Sequence, residues 1–208
     1  MGKRVAKPAA SLHPLSRDFF APLADVVAPR LLGCVIRSVT EEGAVAVRLT
    51  EVEAYAGVDG DPASHAHRGQ TKRNAPMFDQ AGTLYVYFTY GMHWCVNLVC
   101  GPIESASAVL LRAGEVTEGV ALATKRRPQA NGAVDLARGP AKLASVLGLN
   151  GSSSGLDVFA GDSPVVLFAG EAISPAQTVS GPRVGIAQGR ETLWRFWLSG
   201  ESTVSRFR

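Results

Sequence analysis

Cysteine is scarce in this chain of 208 residues: there are three, Cys34, Cys95 and Cys100. The number is odd, no two stand at C-x-x-C spacing, and each lies in an apolar run. That pattern argues against a disulfide framework or a zinc ribbon and predicts buried free thiols. Long apolar runs are missing too, because no stretch of about 18 such residues occurs that could span a bilayer. The start, Met1-Gly-Lys-Arg-Val-Ala-Lys7, is basic but has no apolar core of a secretory signal, so a soluble, cytoplasmic protein is expected. Charged residues are only 19% and the formal net charge is +3, a mild excess that permits a nucleic-acid partner without requiring one. Apolar residues, in contrast, reach 46%. That suffices for one sizeable core, while the length is short for two full domains.

Residues 1–17 read as a loose arm of Lys, Arg, Pro and Ser, whose Lys3, Arg4 and Lys7 suit phosphate contact. A short helix ending at Leu32-Gly33 follows, with Asp25 as its candidate cap and Pro29 early enough to be tolerated. Residues 34–39 and 44–55 predict a hairpin around Glu41-Glu-Gly43. The stretch 56–81 lacks periodicity, and a loop this long in a compact domain is usually functional. Strands are expected at 83–90, with Leu84, Val86 and Phe88 opposed to Tyr85, Tyr87 and Thr89, at 93–100, at 106–112, at 165–168 and at 192–198. Residues 115–127 read as an amphipathic helix with a basic end, and 139–147 as a second helix with Pro140 at its first position. The expected fold class is α+β: one compact domain, residues 18–208, with a curved, mainly antiparallel β-sheet and flanking helices.

Within the second strand stands Glu51-Val-Glu-Ala-Tyr55. Strict alternation puts Val45, Val47, Leu49, Glu51, Glu53 and Tyr55 on one face, so an apolar face runs into two carboxylates and a phenol. Such burial is costly unless the charge is paired, and it suits a tuned base. A bulge or end at Thr50, leaving both glutamates at a solvated rim, is the plainer alternative. All four tyrosines, Tyr55, Tyr85, Tyr87 and Tyr90, fall in or near this group. Aromatic faces with phenol edges suit a nucleobase, although tyrosine also simply favours strands. Tyr90 beside Gly91, at a predicted hairpin tip, is a candidate wedge between stacked bases.

Together these residues resemble the alkyladenine (3-methyladenine, methylpurine) DNA glycosylase family. The resemblance runs through Leu32-Gly33, Glu51-Val-Glu-Ala-Tyr55, His65, Gln70-Thr-Lys-Arg-Asn74, Met77-Phe78 and Gly82-Thr-Leu-Tyr-Val-Tyr87. It continues through Tyr90-Gly-Met92, Cys95-Val-Asn97, Val109-Leu-Leu-Arg112, Gly139-Pro-Ala-Lys-Leu143 and Arg183-Val-Gly185. It implies a monofunctional enzyme that flips a damaged purine out of duplex DNA and hydrolyses its N-glycosidic bond, with no cofactor and no metal. Glu53 matches the family's general base and Arg112 a residue near the attacking water, while Glu51 is expected to support the site. Tyr55, His65, Tyr87, Asn97, Met77 and His93 match the base pocket and its rim, Asn97 disfavouring guanine. Tyr90, Met92, Thr71, Arg73 and Lys142 match DNA-contacting positions, with Tyr90 filling the gap left by the flipped base. In two places the chain departs from the mammalian member: the loop between Tyr55 and His65 is one residue longer, and His93 replaces a tyrosine.

Arg68, Lys72, Lys125, Arg126 and Arg127 are further candidates for phosphate, contacts that set position rather than sequence. No lysine matches a Schiff-base nucleophile, so no strand-cleaving activity is expected. The implied partner is double-stranded DNA with a damaged purine, bound by a monomer. Two other classes remain open at this level: a metal-dependent hydrolase using His65, His67 and Glu53, and a non-catalytic binder of damaged DNA or nucleotides that would not need Glu53.

Overall fold

The computed structural model describes residues 13–58 and 60–207. The first twelve residues, with Lys3, Arg4 and Lys7, lie outside the described residues. At its start the described chain runs along a strand edge: the Leu15 amide donates to the Leu167 carbonyl at 2.9 Å and the Ala169 amide to that of His13 at 2.8 Å. Helix α1 (Ala24–Leu31) leads into strand β1 (Val35–Thr40), which turns at Glu41-Glu42 into the long strand β2 (Gly43–Tyr55). Strands β3 (Leu84–Thr89), β4 (His93–Cys100) and β5 (Ser107–Glu118) follow, then helices α2 (Val120–Arg126) and α3 (Pro140–Leu147), and the short strands β6 (Val165–Phe168), β7 (Thr178–Gly181) and β8 (Arg195–Leu198). The sheet runs β3-β4-β5-β2-β1-β6, and β8 joins β2 beyond the reach of β1 and carries β7 on its outer side. All pairings are antiparallel. The fold is α+β, as expected.

The core lies between the sheet and the helices. Val27 and Leu31 of α1 and Leu143 and Leu147 of α3 join Leu49, Val52, Leu84, Leu98, Val109 and Leu111 in one buried cluster. Each such side chain contributes about 1.5–3 kcal/mol by leaving water. Pro140 opens α3 at its first turn, where a missing N–H costs nothing.

Strand β2 does not alternate strictly, and this is the main departure from expectation. Its register against β5 slips at Thr117, at Thr50 and at Arg112, each an unpaired extra residue. A bulge of this kind reverses which side chains face the core. The core set therefore reads Val45, Val47, Leu49 and then Val52, Ala54, and Glu51, Glu53 and Tyr55 fall on the opposite face. The bulge at Thr50 exists, but it buries the glutamates instead of exposing them: both are 0% exposed.

Three boundaries differ as well. Residues 115–118 stay in β5, opposite Ala46–Arg48, and the helix begins only at Val120. The corner is Gly119, with φ of 73° and a position where a Cβ would lie 2.1 Å from the Ala44 carbonyl oxygen. Gly119→Ala should therefore lower the denaturant midpoint, by about 1–3 kcal/mol in unfolding free energy. Leu23, not Asp25, is the residue before α1, no side chain caps that helix, and Pro29 sits in its second turn, two residues before it ends. Strand β8 starts at Arg195 rather than Thr192, and β7 is too short and too rich in Thr, Ser and Gly to show a pattern. No helix among the described residues is long and apolar enough to cross a membrane.

Candidate active site

The face of β2 to β5 turned away from the core forms the floor of a cleft of about 860 Å³. Tyr85, Asn97, Leu110 and Arg112 rise from it, with Tyr55 and Tyr87 beside them, and the loops 62–71 and 184–188 make the walls. Beside it lies a second, small apolar cluster of Ala66, Met77, Tyr85, Val99, Ala106 and Ala108, of which Met77 and Tyr85 also line the cleft. It fixes the floor independently of the main core.

Glu53 does not itself line the cleft: it lies buried directly behind Tyr55, Arg112 and Val184, which do, with its charge tightly partnered. One carboxylate oxygen, Oε1, accepts the Val184 backbone N–H at 2.7 Å. The other, Oε2, accepts the Tyr55 hydroxyl at 2.9 Å and Arg112 Nη1 at 3.3 Å. Burial pushes the Glu53 carboxyl above the ordinary carboxylate range, while the Arg112 charge, the Val184 amide and the Tyr55 hydroxyl pull it back. Burial, together with the Glu53 charge, holds the Tyr55 phenol well above its usual range, so it keeps its proton and remains a donor. A carboxylate has about four lone-pair positions and three are filled by protein donors. A partly desolvated carboxylate with one acceptor position left can orient a water and take its proton.

Glu51, two residues away, is saturated. Its Oε1 accepts from Arg112 Nε at 3.0 Å, Arg195 Nε at 2.7 Å and Ser205 Oγ at 2.9 Å, and its Oε2 accepts the Ser205 amide at 2.6 Å. That leaves it to hold Arg112 and the C-terminal segment rather than to face the cleft. Arg112, the extra residue of one β5 slip, thus lies between two carboxylates.

Part of the cleft lining is aromatic. The His65 ring meets the Tyr87 ring edge-on, with centroids 4.5 Å apart at 79°, and its Nδ1 lies 3.0 Å from the Tyr85 hydroxyl. Burial against these rings, and then the Arg73 charge, lower the proton affinity of His65 below the usual imidazole value, and burial pushes the Tyr85 phenol up to about 12. The Asn97 amide donates across the β3–β4 pair to the Tyr85 carbonyl at 3.0 Å, within a residue only 4% exposed. Asn74 braces the long loop from inside, its Nδ2 donating to the His65 carbonyl at 2.8 Å and to that of Gly69 at 3.1 Å, and its Oδ1 accepting the Thr71 amide at 2.6 Å.

At the cleft mouth the β3–β4 hairpin turns at Tyr90-Gly91, both with positive φ, 50° and 68°. This is the turn type that suits the twist of paired strands. Tyr90 is 81% and Met92 68% exposed. His93 is exposed beside the turn of this hairpin, opposite Thr89, and is not among the residues that line the cleft. Thr71 lines the mouth, and Arg73 Nη2 donates to the Phe88 carbonyl at 2.9 Å, tying loop to hairpin. Lys142, in the first turn of α3, is half-exposed and paired with Asp135. Arg68 and Lys72 are exposed. Arg126 and Arg127 are different: Arg126 spans Glu42, Thr40 and the Val146 carbonyl, and Arg127, 6% exposed, holds the carbonyls of Asp135 and Leu136. Their charges are spent inside the protein and do not reach a phosphate. Lys125 pairs with Glu42.

The geometry also brings in residues given no role in advance. Arg183 is buried, forms a two-pronged pair with Asp61 (Nη2–Oδ1 2.8 Å), donates to the Ala54 carbonyl at 3.0 Å, and lies 4.7 Å above the Tyr55 ring centroid. It places the Val184 amide that reaches Glu53. Arg183 stood in a noted motif, whereas Asp61, Arg195 and Ser205 carried no local pattern, and only the packing shows them. Cys34, Cys95 and Cys100 are buried free thiols, Cys95 in the cleft against Tyr87. Among the described residues no three His, Cys, Asp or Glu side chains converge as a metal-binding set.

Comparison with known proteins places the chain among relatives of one family. The model of the methylpurine-DNA glycosylase family matches residues 18–202. A Streptomyces avermitilis protein is 50% identical over 198 residues, covering 94% of this chain and 92% of its own length. One from Leifsonia xyli subsp. xyli is 48% identical, covering 92% of each chain, and one from Mycobacterium leprae is 46% identical, covering 88% and 84%. All three are named, provisionally, 3-methyladenine DNA glycosylases.

Proposed function

The chain belongs to the methylpurine-DNA glycosylase family, and on that premise we propose that it is a monofunctional DNA glycosylase that removes alkylated, and also deaminated, purines from duplex DNA. The observation that carries the reading is Glu53: a carboxylate wholly withdrawn from solvent and held by three donors, the Tyr55 hydroxyl, the Val184 amide and the buried Arg112, each from a residue that lines the cleft. In this mechanism Glu53 orients a water and accepts its proton as the water attacks the sugar C1′, and the purine leaves from the opposite side of that carbon. An alkylated purine with a formal positive charge departs as a neutral base, so the second carboxylic acid of ordinary glycoside hydrolysis is not required. Tyr55, His65, Tyr87 and Met77, all of which line the cleft, wall the flipped base, and Arg112 stabilises the ionised form of Glu53.

Flipping a base out of the stack costs a few kcal/mol. Tyr90, exposed in the three-residue turn between Thr89 and His93, offsets this by filling the vacated space, and Met92 borders it. Tyr90→Ala should weaken binding to lesion-containing duplex by about 5- to 100-fold, as expected for one lost stacking contact. Binding to undamaged duplex should change little, and a titration of both duplexes under matched salt checks this. Thr71, Arg73 and Lys142 are placed at or near the mouth as candidate backbone contacts, and His93 as a contact of the hairpin with DNA rather than with the base.

Among the described residues no lysine lines the cleft, which supports simple hydrolysis with an intact abasic strand as product. The decisive experiment is release of free base from methylated or hypoxanthine-containing duplex DNA, with and without chelator, followed by gel analysis before and after alkali. Release that survives chelator, with strand breaks only after alkali, is expected. Tight binding without release would overturn the enzymatic reading in favour of a binder, and strand scission without alkali would overturn the monofunctional one.

A further inference from the structure

Glu53 does not sit beside one arginine in isolation. Arg112 divides its guanidinium among Glu51 (Nε, 3.0 Å), Glu53 (Nη1, 3.3 Å) and Ser205 Oγ (Nη2, 3.3 Å). Glu51 would by itself claim most of that charge, being closer. It is instead also held by Arg195, whose Nε lies 2.7 Å from the same Oε1 and whose Nη2 donates to the Ser205 carbonyl at 3.0 Å. Arg195 stands opposite Glu53 in the β2–β8 register and reaches diagonally back to Glu51. The Trp197 ring, 4.7 Å from its guanidinium carbon, holds it in place. Glu51, Glu53, Arg112 and Arg195 thus form a buried set of two negative and two positive groups, with side-chain exposures of 0, 0, 7 and 5%.

We propose that Arg195 is a positioning residue for the reaction: by occupying Glu51 it leaves the positive charge of Arg112 to Glu53, and so sets the charge balance in which the base works. The inference rests on the reading of Glu53 as the base. The other groups facing Glu53 do not supply this balance. Tyr55 on β2, Tyr87 on β3 and Cys95 on β4 all have raised proton affinities and stay neutral, and Arg183, from the loop before Val184, is matched by Asp61. Removing the Arg195 charge leaves a net negative cluster, in which Glu53 takes up a proton at higher pH. Removing the Glu51 charge does the reverse. The sign follows from the ionised form being the active one: a higher Glu53 proton affinity moves the acid limb of the rate profile up, and a lower one moves it down.

The test is the pH dependence of single-turnover 3-methyladenine release from methylated duplex DNA, a leaving base that needs no protonation. It is measured for wild type, Arg195→Gln, Glu51→Gln, the double variant Arg195→Gln/Glu51→Gln, and Glu53→Gln. The acid limb should rise by about one pH unit in Arg195→Gln, fall by a similar amount in Glu51→Gln, and return near wild type in the double variant, whose charges again balance. The double variant also guards against a folding defect, because it leaves no unpaired buried charge. If all three share the wild-type limb while their rates fall, Arg195 is a packing residue and the assignment is overturned. If instead Glu53→Gln keeps both rate and limb, the limb belongs to another group and the reading of Glu53 falls with it.

Discussion

Glutamine in place of Glu53 is expected to slow base release by about 10²- to 10⁴-fold, the usual contribution of a positioned general base, while the protein still binds lesion-containing DNA. The substitution preserves shape, and its hydrogen-bond consequences are readable. Two donors converge on Oε2, from Tyr55 and Arg112, and one on Oε1, from Val184. The glutamine carbonyl takes the doubly used position, and the amide NH₂ turns toward the Val184 N–H. One hydrogen bond is lost, at a local cost of about 1–3 kcal/mol, and Arg112 loses one of its two anionic partners. Neither change removes the cleft. What disappears is the carboxylate able to accept a proton from water. The measurement is single-turnover release against pH, alongside a binding titration with the same duplex. The acid limb should vanish together with most of the rate. A variant with undiminished release would sink the role of Glu53, and one that lost binding in parallel would point to collapse of the cleft rather than to chemistry.

The same pair of glutamates shows how far the sequence could be read. Glu-x-Glu-Ala-Tyr within an apolar strand was visible as an anomaly of burial, and its family resemblance separated Glu53 from Glu51. The face it occupies was not visible, because alternation fails at Thr50 and Arg112, and a bulge leaves no compositional mark in one strand. It depends on both strands at once. Tyr85 and Tyr87 were placed correctly opposite Leu84 and Val86, since no slip interrupts β3 against β4. Residues 115–118 misled for a related reason. Their charges resemble a helical face, yet pairing with Ala46–Arg48 keeps them in the sheet until Gly119 turns the chain. Arg183 stood in a motif of the resemblance, but Asp61, Arg195 and Ser205 lie far in sequence from the residues they bind. Each is a single polar residue whose meaning is its partner, so no window of sequence could reveal it.

Asp61→Asn should destabilise the protein by about 3–5 kcal/mol, the cost of leaving one member of a buried ion pair without its counter-charge. For a chain of this size that corresponds to a melting temperature lower by roughly 10 °C. Arg183 is enclosed between the Tyr55 ring at 4.7 Å and the Trp194 ring at 5.5 Å, so its charge cannot turn out to water. Asp61 also accepts the Ala63 amide at 3.0 Å and the Ala56 amide at 3.3 Å. Asparagine keeps one oxygen for these donors but loses the charge. Although burial alone would raise the Asp61 carboxyl, the Arg183 guanidinium and the backbone amides outweigh it and hold it below the usual aspartate range. The pair's contribution is therefore fully present above the unfolded value, near pH 4, and is lost as pH falls through the lower folded value. Thermal melts of wild type and variant between pH 7 and pH 3 should show a constant gap down to about pH 4 that narrows below it. The effect should extend to catalysis, since Arg183 precedes the Val184 amide that binds Glu53. A variant that melts within about 1 °C of wild type at pH 7 would show that water or another group satisfies Arg183. The clamp joining the long loop to the base would then have to be sought elsewhere in the fold.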